Sequence, residues 1–302
     1  MTESMGYKGA MAINPIGGGT TVFNGSSIRL EYLSHSLKET TEIVSDEGLR
    51  GTRVRNIERV ATGNVHVGGQ IHLQPNVVEL EAIMPFILGT ASSAGSYVVA
   101  DTLPDLYVMI DNVAEVDTYL VRVTKATFNS GPGQRMDLLL DVVGKTLTVG
   151  ASGSFPGTVP AINIATRAYQ FYDTASGLTV NSINYSIDKF SLAIDNKIVP
   201  SFMMAPTATD LEPTDRVITL GVQTKYVAGT ETALFTDNRA GTARTANISF
   251  TNGANTFSFT FGNLLASAES VVQPGRQHLR FPLNYQAYGI STTKDIVVTL
   301  PA

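Results

Sequence analysis

The residues of this chain best suited to binding a metal are its four histidines, His35, His66, His72 and His278. His66 and His72 are six residues apart, so on a β-strand both side chains point to the same face of a sheet. Zinc sites usually add cysteine or carboxylate ligands to histidine. The chain has no cysteine, and the segment around these two histidines has no acid. We therefore interpret all four as surface or strand-edge residues, and we predict neither a bound metal nor a cofactor.

The aspartates that could act as an acid–base pair are Asp111 and Asp195, each followed directly by asparagine. Acid–base hydrolysis needs two such carboxylates beside one substrate. Aspartate is also common in tight turns, where its side chain accepts hydrogen bonds from nearby backbone N–H groups, and we favour this turn interpretation. The sequence contains no G-x-S-x-G elbow, no H-E-x-x-H motif and no phosphate-binding loop. We therefore do not expect an enzyme.

The most strongly charged segment is residues 39–60, in a chain that is otherwise poor in charge. A run of arginines alone would indicate nucleic-acid binding, but these arginines are interspersed with carboxylates. A mixed-sign segment of this kind is usually a solvated loop or an exposed hairpin. It also suits polar contacts that set the register between copies of a protein. The candidates for such contacts are Asp46, Glu47, Arg50, Arg53 and Arg55.

The composition indicates a folded protein that is not specialised for binding nucleic acid. Hydrophobic residues make up 43% of the 302 residues and charged residues only 16%, the opposite of a disordered chain. A net charge of −5 argues against the basic face that neutralises phosphates. Residues 1–19 lack the apolar core of a secretory signal, and no run reaches the roughly 18 apolar residues of a membrane helix. We therefore expect assembly in a cytoplasm and no membrane partner.

The sequence pattern predicts that the elements that carry these residues form a β module that occurs twice, at an offset of roughly 150 residues. Each copy has the order strand pair, helix, hairpin and strand, and Asn252–Gly253 marks the turn of the hairpin in the second copy. The predicted segments are 48–73, 76–88, 106–127 and 135–143 in the first copy, and 189–204, 216–226, 230–239, 246–261 and 278–288 in the second. A duplicated β module without a catalytic constellation points to assembly rather than to chemistry.

The helix of the first copy has clear local signals. Asn76 is a plausible N-cap and Gly89 ends the helix, with Pro85 close to its last turn. Apolar residues recur at helical spacing and predict one face packed on a sheet. The residues of this predicted packing face are Val77, Leu80, Ile83, Met84 and Ile87.

In their order and residue patterns, these segments resemble those of the tail tube (major tail) proteins of long-tailed bacteriophages. The first-half segments that carry the resemblance are 47–50 (EGLR), 63–73 and 75–89. Those of the second half are 187–200 (IDKFSLAIDNKIVP), 212–220 (EPTDRVITL), 280–285 (RFPLNY) and 295–300. Together they cover most of the chain from about residue 29.

The resemblance implies a mainly β fold of two tandem β-sandwich or half-barrel domains, each with a short flanking helix. We divide the chain into an extended arm (1–27), a first tube domain (28–147), a connector (148–182) and a second tube domain (183–302). In the family, sheets of neighbouring subunits join into one barrel, rings stack into a hollow tube in the virion tail, and DNA passes through the lumen. A charged loop between early strands reaches the next ring, which places Asp46, Glu47, Arg50, Arg53 and Arg55 at that contact.

The implied partners are further copies of the chain and other tail proteins, namely the tape measure, the tail tip and the terminator. A protein with a single tube domain needs six chains to form a sixfold ring. A chain with two fused domains would need only three chains to form a pseudo-sixfold ring. We favour the trimer, and a homohexamer stays open. Two other functions also stay open, a β-rich adhesin or carbohydrate-binding module and the inner-tube subunit of a contractile injection system. The absence of tryptophan weighs against the binding module.

Overall fold

The structure, a computed structural model, describes residues 9–15, 23–45, 57–89, 95–113, 115–150, 156, 158–174, 177–225, 230–266, 280–290 and 294–301. The elements described in the first half are β1 (Ala10–Ile13), β2 (Ile28–Leu30), β3 (Tyr32–His35), β4 (Lys38–Ser45), β5 (Val60–Leu73), α1 (Val77–Leu88), β6 (Ser96–Val98), β7 (Leu106–Asp111), β8 (Val116–Ser130) and β9 (Asp137–Val149). Those of the second half are β10 (Leu178–Val180), β11 (Ile183–Tyr185), β12 (Ile187–Asp195), β13 (Ile198–Ser201), β14 (Asp210–Pro213), β15 (Val217–Lys225), α2 (Thr230–Arg239), β16 (Arg244–Asn252), β17 (Asn255–Ala266), β18 (Arg280–Tyr288) and β19 (Ile296–Thr299).

The strands follow from alternating sequence patterns. In β12, for example, Phe190, Leu192 and Ile194 are buried, while the residues between them are only partly covered. Successive side chains of a strand point to opposite faces, so this alternation places one face on the core. The predicted hairpin at Asn252 and Gly253 is confirmed, with Gly253 at a φ of 62° between β16 and β17.

Helix α1 begins and ends where its local signals predicted. The Asn76 side chain accepts hydrogen bonds from the backbone N–H groups of Val78 and Glu79, with N···O distances of 2.9 and 3.1 Å. Glu79 accepts the Asn76 N–H in return at 3.0 Å, which completes a capping box. Gly89 adopts the left-handed conformation at the C-terminus, and its N–H donates to the carbonyl of Pro85.

The strands of the first half pair in a simple antiparallel order. β4 pairs with β5, β5 with β9, β9 with β8, β8 with β7, β7 with β1, and β1 with β2. β3 continues the line of β4 along the same edge of β5. We call β1–β9 with α1 the first unit.

The second half repeats this order. β12 pairs with β15, β15 with β18, β18 with β17, β17 with β16, β16 with β10, and β10 with β11, again all antiparallel. Helix α2 follows β15 as α1 follows β5. We call β10–β19 with α2 the second unit. Six successive pairings and one helix therefore occupy the same places in both units.

The register of the sheets repeats as well. Ile71 lies opposite Leu140 in the first unit, and Val222 lies opposite Leu283 in the second, with all four side chains buried. The chain offsets between these equivalent residues are 151 (71 to 222) and 143 (140 to 283). These values match the offset of roughly 150 residues between the two sequence segments.

The two units are joined inside the chain by strand pairing and by a common core. β12 of the second unit pairs with β8 of the first, from Phe190 opposite Ser130 to Asp195 opposite Lys125. β19 also pairs with β6. One hydrophobic cluster contains buried residues of both units, so the two units share one continuous core.

Three parts of the structure differ from the segments predicted from the sequence. Ala10–Ile13, inside the predicted arm, form β1, whose four residues are all buried between β2 and β7. The predicted connector is irregular over residues 162–169 and also contains a 3-10 helix at Phe171–Asp173. The predicted connector also contributes β10, because Leu178 and Val180 pack into the core beside β16.

Candidate assembly surfaces

The histidines that could have formed a metal site lie apart, each next to one acid. His66 lies 3.0 Å from Glu42, and His72 lies 3.3 Å from Asp137. Burial lowers the pKa of His35, the only other histidine in the described part of the chain. In that part no group of three or more histidine, cysteine or acidic side chains is arranged to hold a metal ion.

The repeated Asp-Asn pairs are turn residues, as the sequence predicted. Asp111 accepts the backbone N–H of Val113 at 2.7 Å, and Asp195 accepts that of Lys197 at 3.0 Å. Val113 and Lys197 have positive φ angles of 71° and 46°, which the aspartate hydrogen bonds help to stabilise. Each carboxylate therefore has a local structural role at the end of a strand.

The predicted inter-ring contacts Asp46, Glu47, Arg50, Arg53 and Arg55 lie outside the described residues. The structure places the strands that flank them. β4 ends at Ser45, and the chain is described again from the short 3-10 helix at Ile57–Arg59, which leads into β5. The charged segment thus connects two strands of one hairpin.

The predicted packing face of α1 lies against the core of the first unit. Leu80, Ile83, Met84 and Ile87 are buried, and Val77 is half-buried beside them. Burial extends beyond this face, because Ala82, Phe86 and Leu88 are also covered. The helix is therefore enclosed on most of its surface rather than lying on the sheet with one side in solvent.

The first unit has an open sheet edge. β3 and β4 pair with β5 on one side, and in the described chain no strand pairs with their other side, which we call the β4 edge. Seven of the eight residues of β4 are exposed, including Ile43 (74%) and Val44 (56%). A long exposed edge with apolar side chains is a ready template for pairing with another chain.

The opposite end of the same sheet lies in the second unit. There β18 pairs with β15 from Arg280 onwards, whereas β17 joins its other side only from Tyr285 to Tyr288. The part of β18 from Arg280 to Asn284 thus has one unpaired side among the described residues. We call this region the β18 end.

The sheet between these two edges has a grooved face. Two grooves of about 690 and 530 Å³ lie along it in the second unit and at the junction of the units. Apolar, charged and polar residues share their lining, and the hydroxyl and amide side chains include Asn129, Ser191, Thr219, Gln223, Asn284 and Gln286. Ser191 donates across the unit junction to the amide oxygen of Asn129 at 2.7 Å.

The β13–β14 hairpin holds the second unit on the first through a cluster of four charges. The Arg122 guanidinium lies 2.5 Å from Asp105 and 3.6 Å from Asp210, and the Lys145 ammonium lies 3.4 and 3.3 Å from the same carboxylates. Arg122 also donates to the carbonyl of Leu211 in β14. The Leu211 N–H and Lys145 together lower the pKa of Asp210. Beside the cluster, Leu211 packs in a small apolar group that the hairpin shares with the first unit.

Neither the β4 edge nor this hairpin was predicted from the sequence. A signal for the edge was present: residues 35–38 read HSLK and residues 190–193 read FSLA, and they occupy equivalent strands. The hairpin has no comparable signal, because Asp105, Arg122, Lys145 and Asp210 come from four distant parts of the chain.

The fold is that of a mainly β protein built from large antiparallel sheets, and among the described residues no helix is long and apolar enough to cross a membrane. The model of one protein family, described as phage tail tube protein, matches residues 8–300, nearly the whole chain. The chain therefore belongs to the phage tail tube protein family and is a structural component of a phage tail. A search of curated proteins found no match.

Proposed function

We propose that this chain polymerises into stacked rings that form the hollow tube of a phage tail. The observation that carries the proposal is the repeated pairing order, with one unit-to-unit junction already made inside the chain at β8 and β12. That junction shows how one unit of this fold adds to the next by continuing a sheet. The same kind of junction between chains would extend the sheet around a ring, because a heterologous contact that closes generates cyclic symmetry.

We propose three chains in each ring. The strand order occurs twice in one chain, so three chains supply six units, and a pseudo-sixfold ring follows if all units are joined alike. A homohexamer would instead contain twelve units. The in-chain junction favours the trimer, since it already relates two units as neighbours.

We propose that the grooved face lines the lumen and that DNA passes along it without specific binding. Its hydroxyl and amide side chains offer few fixed charges to the phosphates. The cation Arg280 of this face lies beside Asp188. The net charge of −5 further opposes tight adhesion of DNA to the wall.

The proposed setting is the virion tail, assembled in the cytoplasm of the host bacterium. The proposed partners beyond other copies are the tape measure, the tail tip and the terminator. Contacts between rings are assigned to the charged segment that connects β4 and β5, with Asp46, Glu47, Arg50, Arg53 and Arg55 as candidates.

Electron microscopy of the purified protein at high concentration tests the proposal, together with native mass spectrometry of single rings. We expect hollow tubes or rings with six lobes and a mass of three chains. Six-lobed rings of six chains would contradict the trimer only. A monomer at every concentration, even after addition of a tail-tip complex, would contradict the tube assignment.

Stacking is tested separately by reversing the charge at Arg50, Arg53 and Arg55 together. We expect a folded protein that forms rings but no long tubes. A matched control reverses Arg239 and Lys294, which are exposed charges outside this segment, and should still form tubes. Long tubes of the triple variant would contradict the assignment of stacking to this segment.

A further inference from the structure

The β13–β14 hairpin occupies the place in the second unit that the charged segment occupies in the first. The charged segment connects β4 to β5, and the hairpin lies in the connection from β12 to β15, which are the corresponding strands. In the second unit this connection forms a separate two-stranded sheet. It folds back over the first unit, where Arg122 and Lys145 bind Asp210 at its base.

In the first unit the two strands that flank the charged segment extend beyond the rest of their sheet. β4 pairs with β5 as far as Ser45 opposite Val60, whereas β9 pairs with β5 only from Val67 onwards in the described chain. We call residues 40–45 and 60–66 the β4–β5 arm, and most of its side chains are exposed. A two-stranded ribbon is only marginally stable in water, so the arm needs a further contact to hold one direction.

The loop of the β13–β14 hairpin supplies such a contact. The backbone N–H of Val65 donates to the carbonyl of Pro206 at 2.7 Å, and Thr207 forms a parallel bridge with Val65. The rings of Phe202 and His66 meet edge to face, with centroids 5.1 Å apart. The loop therefore lies beside β5 at the level where β9 no longer pairs with it.

These contacts link the arm to the body of the protein. Phe202 packs against the small apolar group that contains Leu211 of the hairpin and Leu103 of the first unit. On the arm, Nε2 of His66 lies 3.0 Å from Oε1 of Glu42, so the contact reaches β4 as well as β5. The second unit thus touches both strands of an arm that belongs to the first unit.

We propose that the β13–β14 hairpin is a brace that fixes the direction of the β4–β5 arm, with Phe202 and His66 as the positioning residues. The inference rests on the proposed function, because the arm leads into the segment assigned to contacts between rings. An arm that is fixed before assembly loses less conformational entropy on binding than an arm that must be ordered on contact. The brace therefore favours the stacking of rings without touching the next ring itself.

Removal of the aromatic contact tests the brace. In Phe202→Ala we expect the amides of residues 60–66 to exchange roughly 2- to 10-fold faster, the effect of losing one aromatic pair, while the amides of β8 keep their protection. Electron microscopy should show rings but few long tubes. Phe202→Tyr keeps the ring and should match the unmodified protein in both measurements. So should the matched control Met203→Ala, which removes a neighbouring side chain that is 68% exposed.

His66→Ala removes the other ring of the pair, and it tests the same contact if Phe202→Ala does not fold. It should also accelerate exchange in the arm and shorten the tubes. Its control is Glu42→Gln, which removes only the charge beside His66 and should do neither. An equal effect of Glu42→Gln would assign the positioning to the ion pair and overturn the role of the aromatic contact.

Exchange is measured on the unassembled chain, which separates failure of this inference from failure of the proposed function. Unchanged exchange of the arm in both alanine variants would overturn the inference and leave the ring intact. Faster exchange with tubes of normal length would also overturn it, because the direction of the arm would then not govern stacking. Absence of rings from the unmodified chain would overturn the proposed function, and the assembly role of the brace with it.

Discussion

Asn196 donates its side-chain amide to the backbone carbonyl of Ile87 at 3.0 Å, and so fastens the strand connection of the second unit to the end of α1 in the first. The same amide lies 3.3 Å from the carbonyl of Val123, and its oxygen accepts a hydrogen bond from Arg216 at 3.2 Å. Asn196 is 1% exposed. One side chain thus satisfies polar groups from three separate parts of the chain.

Replacement of Asn196 by leucine should lower the free energy of unfolding by about 2–4 kcal/mol, because two carbonyls and a guanidinium lose a buried partner. The matched control is Asn112→Leu, at the same place in the repeated Ile-Asp-Asn tripeptide. Asn112 is exposed, and its amide bonds to Asp117, so we expect a clearly smaller loss. Urea denaturation measures the free energy of unfolding of both variants. Equal losses would show that Asn196 does not join the units.

The aromatic core predicts that the two units unfold together. Phe128 of the first unit and Phe259 of the second meet edge to face, with ring centroids 5.2 Å apart, and both are fully buried. Phe259→Ala should lower the free energy of unfolding by about 3–5 kcal/mol, because it removes a buried ring. Tyr172→Ala, which removes a ring that is 68% exposed, is the control and should cost little.

Hydrogen exchange then shows whether the loss of Phe259 reaches the first unit. Because one core spans both units, we expect the slowest amides of β8 and β17 to lose protection by the same free energy. Loss of protection in β17 alone would mean that the units are independent folding domains.

Local signals in the sequence predicted α1 and the Asn252–Gly253 hairpin correctly. A capping asparagine, a terminal glycine and an Asn-Gly turn act over a few residues, so their effect can be read without the rest of the fold. The mainly β class also followed from alternating patterns. The helix candidate near 230–239 matches α2 in its bounds.

The parts that sequence could not predict depend on distant partners. β1 is a short strand in a segment rich in glycine and asparagine, and it is a strand because β2 and β7 flank it. The β13–β14 hairpin depends on ion pairs of Asp210 with Arg122 and Lys145. Residues 106–112 (LYVMIDN) also resemble 190–196 (FSLAIDN) although they occupy different strands, because both Asp-Asn pairs form the same turn.

Acid should loosen the β13–β14 hairpin before the rest of the protein. The backbone N–H of Leu211 and the charge of Lys145 hold the pKa of Asp210 below its usual 3.8. A depressed pKa contributes stability that is complete above 3.8 and is lost as the pH falls through the folded value. Hydrogen exchange of β13 and β14 amides should therefore accelerate below about pH 4 relative to that of β8. In Asp210→Asn the hairpin should be looser at pH 7 and insensitive to this change. An unchanged acid response in Asp210→Asn would assign it to another group.

Alkali should destabilise the core through its buried tyrosines. Burial raises the pKa of Tyr285 from 10.0 to about 12, and Tyr119 and Tyr169 are raised to about 12 as well. A raised folded pKa contributes stability that is complete below pH 10 and is lost as the pH rises towards 12, since the unfolded chain ionises first.

Tyr285→Phe keeps the ring but removes the ionisable hydroxyl, so the free energy of unfolding of this variant should fall less steeply over this range. Chemical denaturation at several pH values, followed by tyrosinate absorbance, measures the slope. The control is Tyr172→Phe, whose ring is exposed, and it should follow the unmodified protein. If Tyr285→Phe also follows it, the alkaline loss of stability does not arise from Tyr285.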